Sequence, residues 1–272
     1  MQGLHEFIPT QTKAAYINQL LKVGFDTIDF GSFVSPKAIP QMRDTAEVLN
    51  LLHLDQSKSK LLAIVANTRG ALDAVQFNEI SYLGFPFSIS ETFQQRNTNS
   101  SIEQSLKTVE EIQNLCVVNK KKLVVYISMA FGNPYGDKWN SDIVINWSNK
   151  LASLGVEIIA LSDTIGISNS ENISYLFSSI IPELSTVEIG AHLHTTPTTW
   201  KEKVEAAFKN GCKRFDGAIK GYGGCPMATD KLTGNMATEN LVDFFKSNQI
   251  KCNINQEEFN EAMIKAAGVF PQ

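Results

Sequence analysis

The chain has 272 residues, 43% of them hydrophobic and 19% charged, and a formal net charge of −4 at pH 7. This composition is typical of a globular protein with a sizeable core. The small negative charge gives no reason to expect nucleic acid or an anionic membrane as a partner, and no apolar stretch is long enough to span a bilayer. The four cysteines lack the paired spacing of a zinc site, which favours a reducing compartment, so we expect a cytoplasmic protein.

Apolar strand patterns and amphipathic helix patterns alternate along the whole chain. The first part predicts a helix over 11–23, a strand over 27–33, a helix over 38–52, a strand over 60–66, a short helix over 69–76, a strand over 80–87 and a polar, non-periodic functional loop over 91–99. The middle predicts a helix capped by Ser101 and running to 118, a strand over 122–128, a helix over 139–154, a strand over 156–162 and a helix over 169–181. The last part predicts a strand over 187–195, a helix over 200–209, a strand over 214–219, a glycine-rich loop over 221–234 and helices over 237–246 and 256–267.

Seven strands that alternate with helices predict a parallel α/β sheet built from βα units. Alternation over this length favours a (β/α)8 TIM barrel, and a doubly wound seven-stranded sheet is the alternative. A barrel needs eight strands, whereas the first predicted element is the helix over 11–23. We therefore expect one barrel domain over residues 1–272 that is truncated at its N terminus and lacks its first strand.

The strand over 187–195 carries two histidines, His192 and His194, at alternate positions. Side chains of a strand alternate between its two faces, so both imidazoles are expected on the same side. Two neutral imidazoles on one face provide half of a metal site. The alternative is a polar pocket in which each histidine makes ordinary hydrogen bonds.

Polar side chains follow nearly every predicted strand. In a barrel the C-terminal ends of the strands form the active site, although a single polar residue there can equally cap the next helix. The residues in question are Asp29 with Ser32, Asn67, Ser88 with Ser90, Ser128, Asp163 with Thr164, His192 with His194, and Lys220.

The glycine-rich loop over 221–234 contains Cys225, away from any core pattern. A mobile loop that carries a thiol can close over a substrate and act as an acid or a base, and the alternative is a loop cysteine of no consequence. Asn235 follows the loop. It is either an oxygen ligand for a hard cation or the N-cap of the next helix.

Six short motifs occur in one order along the chain. They are Gly31-Ser-Phe-Val-Ser-Pro-Lys37, Pro40-Gln-Met42, Asp163-Thr-Ile-Gly166, His192-x-His194, Gly223-Gly-Cys-Pro226 and Gly234-Asn235. Together they resemble the hydroxymethylglutaryl-CoA lyase family, a branch of the metal-dependent TIM-barrel lyase and aldolase superfamily. The resemblance implies a retro-Claisen cleavage of 3-hydroxy-3-methylglutaryl-CoA to acetyl-CoA and acetoacetate, as in leucine degradation and ketone body formation.

The resemblance also implies a cofactor and partners. Mg²⁺ or Mn²⁺ would be held by His192, His194 and Asn235, with Glu239 supporting Asn235 from behind. A small-molecule acyl-CoA would be the substrate, and a homodimer the expected assembly.

Three further residues receive catalytic roles from the same resemblance. Cys225 would handle a proton at the enolate carbon, and Asp163 would transfer a proton or orient the hydroxyl group of the substrate. Asp29 would be the acid of the second barrel strand, where relatives commonly carry Glu.

Two departures from the family pattern bear on activity. The Arg-Asp pair that ends the first strand in the family would precede Met1, so we expect the 272-residue chain to be poorly stable and inactive. Thr195-Thr196 stands where better known lyases have Asp-Thr, which is consistent with a sub-branch that acts on a different acyl group. The alternatives are a related acyl-CoA lyase or condensing enzyme with another substrate, and a non-catalytic barrel fragment.

Overall fold

Seven parallel strands form one curled sheet in the computed structural model, which describes residues 1–4, 6–224 and 233–270. The strands are β1 (Thr27–Ser32), β2 (Lys60–Ile64), β3 (Ile80–Ser88), β4 (Lys122–Ser128), β5 (Ile158–Ser162), β6 (Glu188–His192) and β7 (Arg214–Phe215). Their order in the sheet follows the chain from β1 to β7. A doubly wound sheet reverses its strand order at one point, so the consecutive order excludes that alternative. The predicted barrel lacking one strand is confirmed, and β1 and β7 are not paired with each other within the described residues.

Helices alternate with the strands and cover the outside of the sheet. They are α1 (Thr10–Val23), α2 (Thr45–Leu49), α3 (Thr68–Ala74), α4 (Glu91–Thr98), α5 (Ile102–Val118), α6 (Ser141–Ser153), α7 (Ser170–Glu183), α8 (Trp200–Lys209), α9 (Thr238–Ser247) and α10 (Gln256–Val269), with 3-10 turns at Pro40–Met42 and Ile219–Gly221. Within the described residues, no helix is long and apolar enough to cross a membrane.

The alternation of side chains along each strand divides the core in two. In β4, Leu123 and Ile127 belong to the main cluster between sheet and helices, whereas Val124 and Tyr126 belong to a smaller cluster with residues such as Leu62. The smaller cluster lies on the concave face of the sheet, inside the barrel. Polar residues on the same face of the sheet as Tyr126 therefore point into the barrel interior.

The prediction of a functional loop over 91–99 is wrong, because α4 occupies most of it. Ser90 caps this helix, with its hydroxyl accepting a hydrogen bond from the backbone N–H of Phe93 at 3.1 Å. Phe93 is only 1% exposed and anchors the helix to the main core. A helix of eight residues with a single large apolar residue leaves no visible period in the sequence, which explains the error.

Three other predicted elements differ more strongly from the structure, and each is much shorter than expected. The predicted helix over 38–52 divides into the 3-10 turn at Pro40–Met42 and the five-residue α2. The predicted strand over 214–219 pairs only through β7. The strand predicted over 187–195 ends at His192, and His194 instead forms an isolated antiparallel bridge with Asn235.

Candidate active site at the C-terminal rim

His192 is the last residue of β6, and a carboxylate holds its ring in place. Its Nδ1 lies 3.1 Å from Oδ2 of Asp216, which follows β7. A carboxylate only accepts, so Nδ1 carries the proton and Nε2 is the basic nitrogen. This pairing of imidazole and carboxylate is typical of histidines that bind metal ions.

Asp216 was missed by the sequence analysis. It lies within the predicted strand over 214–219, two residues after Arg214, and both are polar residues at alternate positions. That alternation was the available signal, because it places the two side chains on the same face of the strand. The Nε of Arg214 lies 4.0 Å from Oδ1 of Asp216.

His194 lies on the same side as His192, with ring centroids 5.7 Å apart. This confirms the predicted common orientation of the two imidazoles. His194 is 3% exposed, and its Nδ1 has no hydrogen-bond partner within the described residues. Burial, with the neighbouring charge of His192, lowers the pKa of His194 from 6.5 to about 3. The alternative in which both histidines make ordinary hydrogen bonds accounts for His192, and a hydrogen bond between His194 and the backbone of Thr233 opposes the fall in the pKa of His194. Nδ1 of His194 nevertheless has no partner within the described residues.

Asn235 is brought beside His194 by the antiparallel bridge between their backbones. Its Nδ2 donates to the carbonyl of Tyr222 at 2.9 Å, which leaves Oδ1 as the oxygen that can face a cation. Gly223 has φ +96, and a Cβ at this position would lie 2.9 Å from Nδ2 of Asn235. The N-cap alternative is excluded, because Ala237 precedes the first residue of α9.

Glu239 lies in the first turn of α9, four residues after Asn235. Its Oε2 accepts a hydrogen bond from the backbone N–H of Lys220 at 3.0 Å. Lys220 has φ 56 and begins the glycine-rich loop. Glu239 thus holds the start of that loop, and its predicted support of Asn235 stays a prediction.

Asp163 follows β5 and is almost completely buried, at 1% exposure. Its Oδ2 lies 2.7 Å from Nζ of Lys203 and 2.5 Å from the hydroxyl of Ser168, and its Oδ1 accepts from the Ser168 N–H at 3.1 Å. Both oxygens are therefore engaged. These contacts favour a role in holding the strand end together, and its proton-transfer role stays a prediction.

Asp29 projects from β1 on the face opposite the main core, and its side chain is exposed to solvent. Desolvation by the surrounding protein, together with the charge of Asp216, raises the pKa of Asp29 from 3.8 to about 7, although His192 and the amino group of Met1 oppose this rise. Burial and the same two carboxylates also raise the pKa of Tyr126 well above its ordinary value. Tyr126 lies edge-on to His192, with ring centroids 5.4 Å apart.

The residues of the rim fit a divalent cation. The candidate donors are Nε2 of His192, a ring nitrogen of the neutral His194 and Oδ1 of Asn235, a mixed nitrogen and oxygen set of the kind that binds Mn²⁺ and related ions. Within the described ranges, no cluster of three His, Cys, Asp or Glu residues could hold a metal ion. A cation here therefore depends on the asparagine as well as the two histidines. Cys225 lies outside the described residues, so its position relative to this set is untested.

Comparisons with known proteins point to one family. The HMGL-like family matches residues 1–264. The chain is 32% identical over 265 residues to the hydroxymethylglutaryl-CoA lyase of Bacillus subtilis, a match covering 96% of this chain and 87% of that protein. It is 32% identical over 244 residues to the cytoplasmic 3-hydroxy-3-methylglutaryl-CoA lyase of Rattus norvegicus, covering 89% and 70%.

Solved structures agree with this assignment. An HMG-CoA lyase from Acinetobacter baumannii, solved in complex with coenzyme A and 3-methylmalate, is similar with a TM-score of 0.90 and 31% identity over 98% of this chain and 87% of that chain. The HMG-CoA lyase of Bacillus subtilis is similar with a TM-score of 0.90 and 30% identity over 97% and 87%.

The lowered pKa of His194 predicts a loss of stability in acid for the metal-free protein. The unfolded chain binds a proton near pH 6.5, whereas the native histidine does so only near pH 3. The contribution of His194 to the free energy of unfolding should therefore fall as the pH drops through this window, by up to about 1.4 kcal/mol per pH unit. Asp29 has the opposite effect on the free energy of unfolding between pH 3.8 and about 7. This contribution is the same in the wild type and in the variants.

Urea unfolding in the presence of a chelator at pH 7, 6, 5 and 4 measures this effect. His194→Gln should reduce the acid-side loss, because glutamine does not titrate. His53→Gln, on an exposed segment, should keep the wild-type slope. An unchanged slope in the His194→Gln variant would show that this imidazole is not held neutral by burial.

Proposed function

Since this chain belongs to the HMGL-like family and is an enzyme of the lyase type, we propose that it cleaves 3-hydroxy-3-methylglutaryl-CoA to acetyl-CoA and acetoacetate. The observation that carries the proposal is the buried, neutral His194, whose Nδ1 has no hydrogen-bond partner among the described residues, beside a His192 that Asp216 orients. A purely structural pair of histidines has no reason to leave a buried ring nitrogen without a partner. A cytoplasmic location, as in the name of the rat relative, goes with this proposal.

The reaction needs a base for the C3 hydroxyl group of the substrate, and we assign this role to Asp29. A carboxyl group with a pKa of about 7 is half ionised at neutral pH, which suits a group that must accept a proton and later release it. Loss of the hydroxyl proton to Asp29 lets the C–O⁻ electrons form the carbonyl of acetoacetate. The C2–C3 bond then breaks, and its electron pair becomes the enolate of acetyl-CoA.

The enolate must take up a proton at its terminal carbon to become acetyl-CoA. The thiol of Cys225 is assigned as the donor, since the glycine-rich loop that carries it begins beside Asn235. Proton return from Asp29 or from water restores the thiol. Asp163 supports the same rim through Lys203 and Ser168.

A divalent cation, Mg²⁺ or Mn²⁺, is part of the proposal. When bound, it would polarise the substrate oxygens and lower the pKa of the C3 hydroxyl group. His192, His194 and Asn235 would hold it. The hydrogen bond from His192 to Asp216 would keep Nε2 directed at the ion.

The activity itself is tested with purified protein, expressed as the 272 residues and also with any in-frame residues that its gene encodes before Met1. We expect 3-hydroxy-3-methylglutaryl-CoA to yield acetoacetate and acetyl-CoA in equal amounts, with dependence on Mg²⁺ or Mn²⁺. The products are measured by chromatography, with malyl-CoA and citramalyl-CoA as comparison substrates. Cleavage of a comparison substrate alone would replace the proposed acyl group, and no cleavage of any would overturn the lyase assignment.

His192→Ala should weaken Mn²⁺ binding, because one of three protein ligands is lost and Asp216 loses its partner. We expect the dissociation constant to rise roughly 100-fold or more, as seen by calorimetric titration without substrate. His53→Ala is the matched control, since His53 is exposed and away from the rim. Equal affinity of the two variants would make the His192 pair structural.

Cys225→Ser should lower kcat by roughly 100-fold or more, because a hydroxyl group is a far weaker acid than a thiol. KM should change little, since the loop backbone is retained. Cys252→Ser is the control, because Cys252 is an exposed free cysteine. If Cys225→Ser turns over substrate like the control, the proton at the enolate carbon comes from another group.

A further inference from the structure

Lys203, on α8, is a fully buried lysine at the rim of the barrel. It is 1% exposed, and all three N–H bonds of its ammonium group are used. They go to Oδ2 of Asp163 at 2.7 Å, to the carbonyl of Gly166 at 3.0 Å and to the carbonyl of His194 at 3.0 Å. One side chain therefore joins the turn after β5, the end of β6 and the following helix.

The turn after β5 is tied to its neighbours by further hydrogen bonds. Asp163 and Gly166 close it through an N–H to carbonyl bond of 3.0 Å. Thr164 accepts a hydrogen bond from the backbone N–H of Met129, after β4, at 2.8 Å. Hydrogen bonds thus link Lys203, directly or through the β5 turn, to the ends of three adjacent strands, β4, β5 and β6.

The same turn supports the segment that carries Asn235. The hydroxyl of Thr233 donates to the carbonyl of Ile165 at 3.3 Å, and a Cβ on Gly166 would lie 2.6 Å from the Thr233 side chain. Beside it, the N–H of Thr195 donates to the carbonyl of Gly234 at 2.9 Å. Both surfaces against which this segment rests, the β5 turn and the end of β6, are therefore linked through Lys203.

We propose that Lys203 is the positioning residue of the cation site, because its three hydrogen bonds set the separation between His194 and the segment that bears Asn235. This inference rests on the proposed function for the existence of the cation site. Lys203 itself would touch neither the cation nor the substrate. Its ammonium group suits the task, since its three N–H bonds diverge toward acceptors on two different loops.

The chain offers a matched pair for comparison at another place in the fold. Lys13 of α1 and Asp44 form a buried ion pair with a distance of 2.6 Å, and the side chains are 3% and 10% exposed. Asp44 also accepts from the hydroxyl of Thr10 at 2.8 Å. This pair joins α1 to the start of α2, and none of its partners carries a predicted cation ligand.

The test compares two double variants, Lys203→Met with Asp163→Asn, and Lys13→Met with Asp44→Asn. Each double variant removes both charges of one buried pair, because replacing the lysine alone would leave a buried carboxylate without a charged partner and destabilise the protein. Folding is checked by circular dichroism and melting temperature. Mn²⁺ binding is measured without substrate, by the loss of the electron paramagnetic resonance signal of free Mn²⁺.

We expect the Lys203 and Asp163 double variant to fold and to bind Mn²⁺ roughly 10- to 100-fold more weakly than wild type, the range typical of residues that support metal ligands. The Lys13 and Asp44 double variant should bind within twofold of wild type. Because substrate is absent, the predicted role of Asp163 toward the substrate does not enter the measurement.

Three results would overturn the inference, and they are distinguishable. If the folded Lys203 double variant binds Mn²⁺ within twofold of wild type, the positioning role fails and the proposed function stands. If both double variants lose affinity equally, the effect is general destabilisation and Lys203 has no special role. If wild type binds no Mn²⁺, the proposed cation site fails and takes the inference with it.

Discussion

The parallel pairing of consecutive strands is the constraint on which the rest of the molecule depends. Each strand ends at the same rim, so side chains that are far apart in sequence become neighbours there. His192 ends β6 and Asp216 follows β7, and the hydrogen bond between them requires these strands to be adjacent and in register. Asp29 joins them from β1, facing the same interior.

The protein surroundings at this rim shift the pKa values of two of its residues. Burial keeps His194 neutral, whereas desolvation by the surrounding protein and the charge of Asp216 raise the pKa of the exposed Asp29 toward neutrality. The two pKa values shift in opposite directions, and each shift suits the proposed role. A histidine that binds a cation must stay unprotonated, whereas a general base must exchange its proton near pH 7. Asp216 acts on both, as the hydrogen-bond partner of His192 and as a like charge for Asp29.

The side chains at the rim come from two kinds of segment, the end of a strand and the residues that follow a loop. The two histidines stand at or just beyond the end of β6, behind which the buried Lys203 ties the adjacent turns together. Asn235 arrives on the segment that closes the glycine-rich loop, and Gly223 lets the loop backbone approach its amide closely. In the proposed site, the two histidines and Asn235 would together hold the cation beside the substrate.

The sequence by itself determined the alternation of strands and helices, the common orientation of His192 and His194, and the family, because these depend on local periodicity and on contiguous motifs. It failed at α4, where one buried Phe93 leaves no period, and at the end of β7, where pairing stops after Phe215. Only the tertiary structure decided that Asp216 orients His192, that both oxygens of Asp163 are engaged, and that Lys203 joins the β5 turn to His194. These contacts link residues 5 to 40 positions apart. The physical reason is that hydrogen bonds between strand ends depend on register and burial, and neither leaves a local pattern in the sequence.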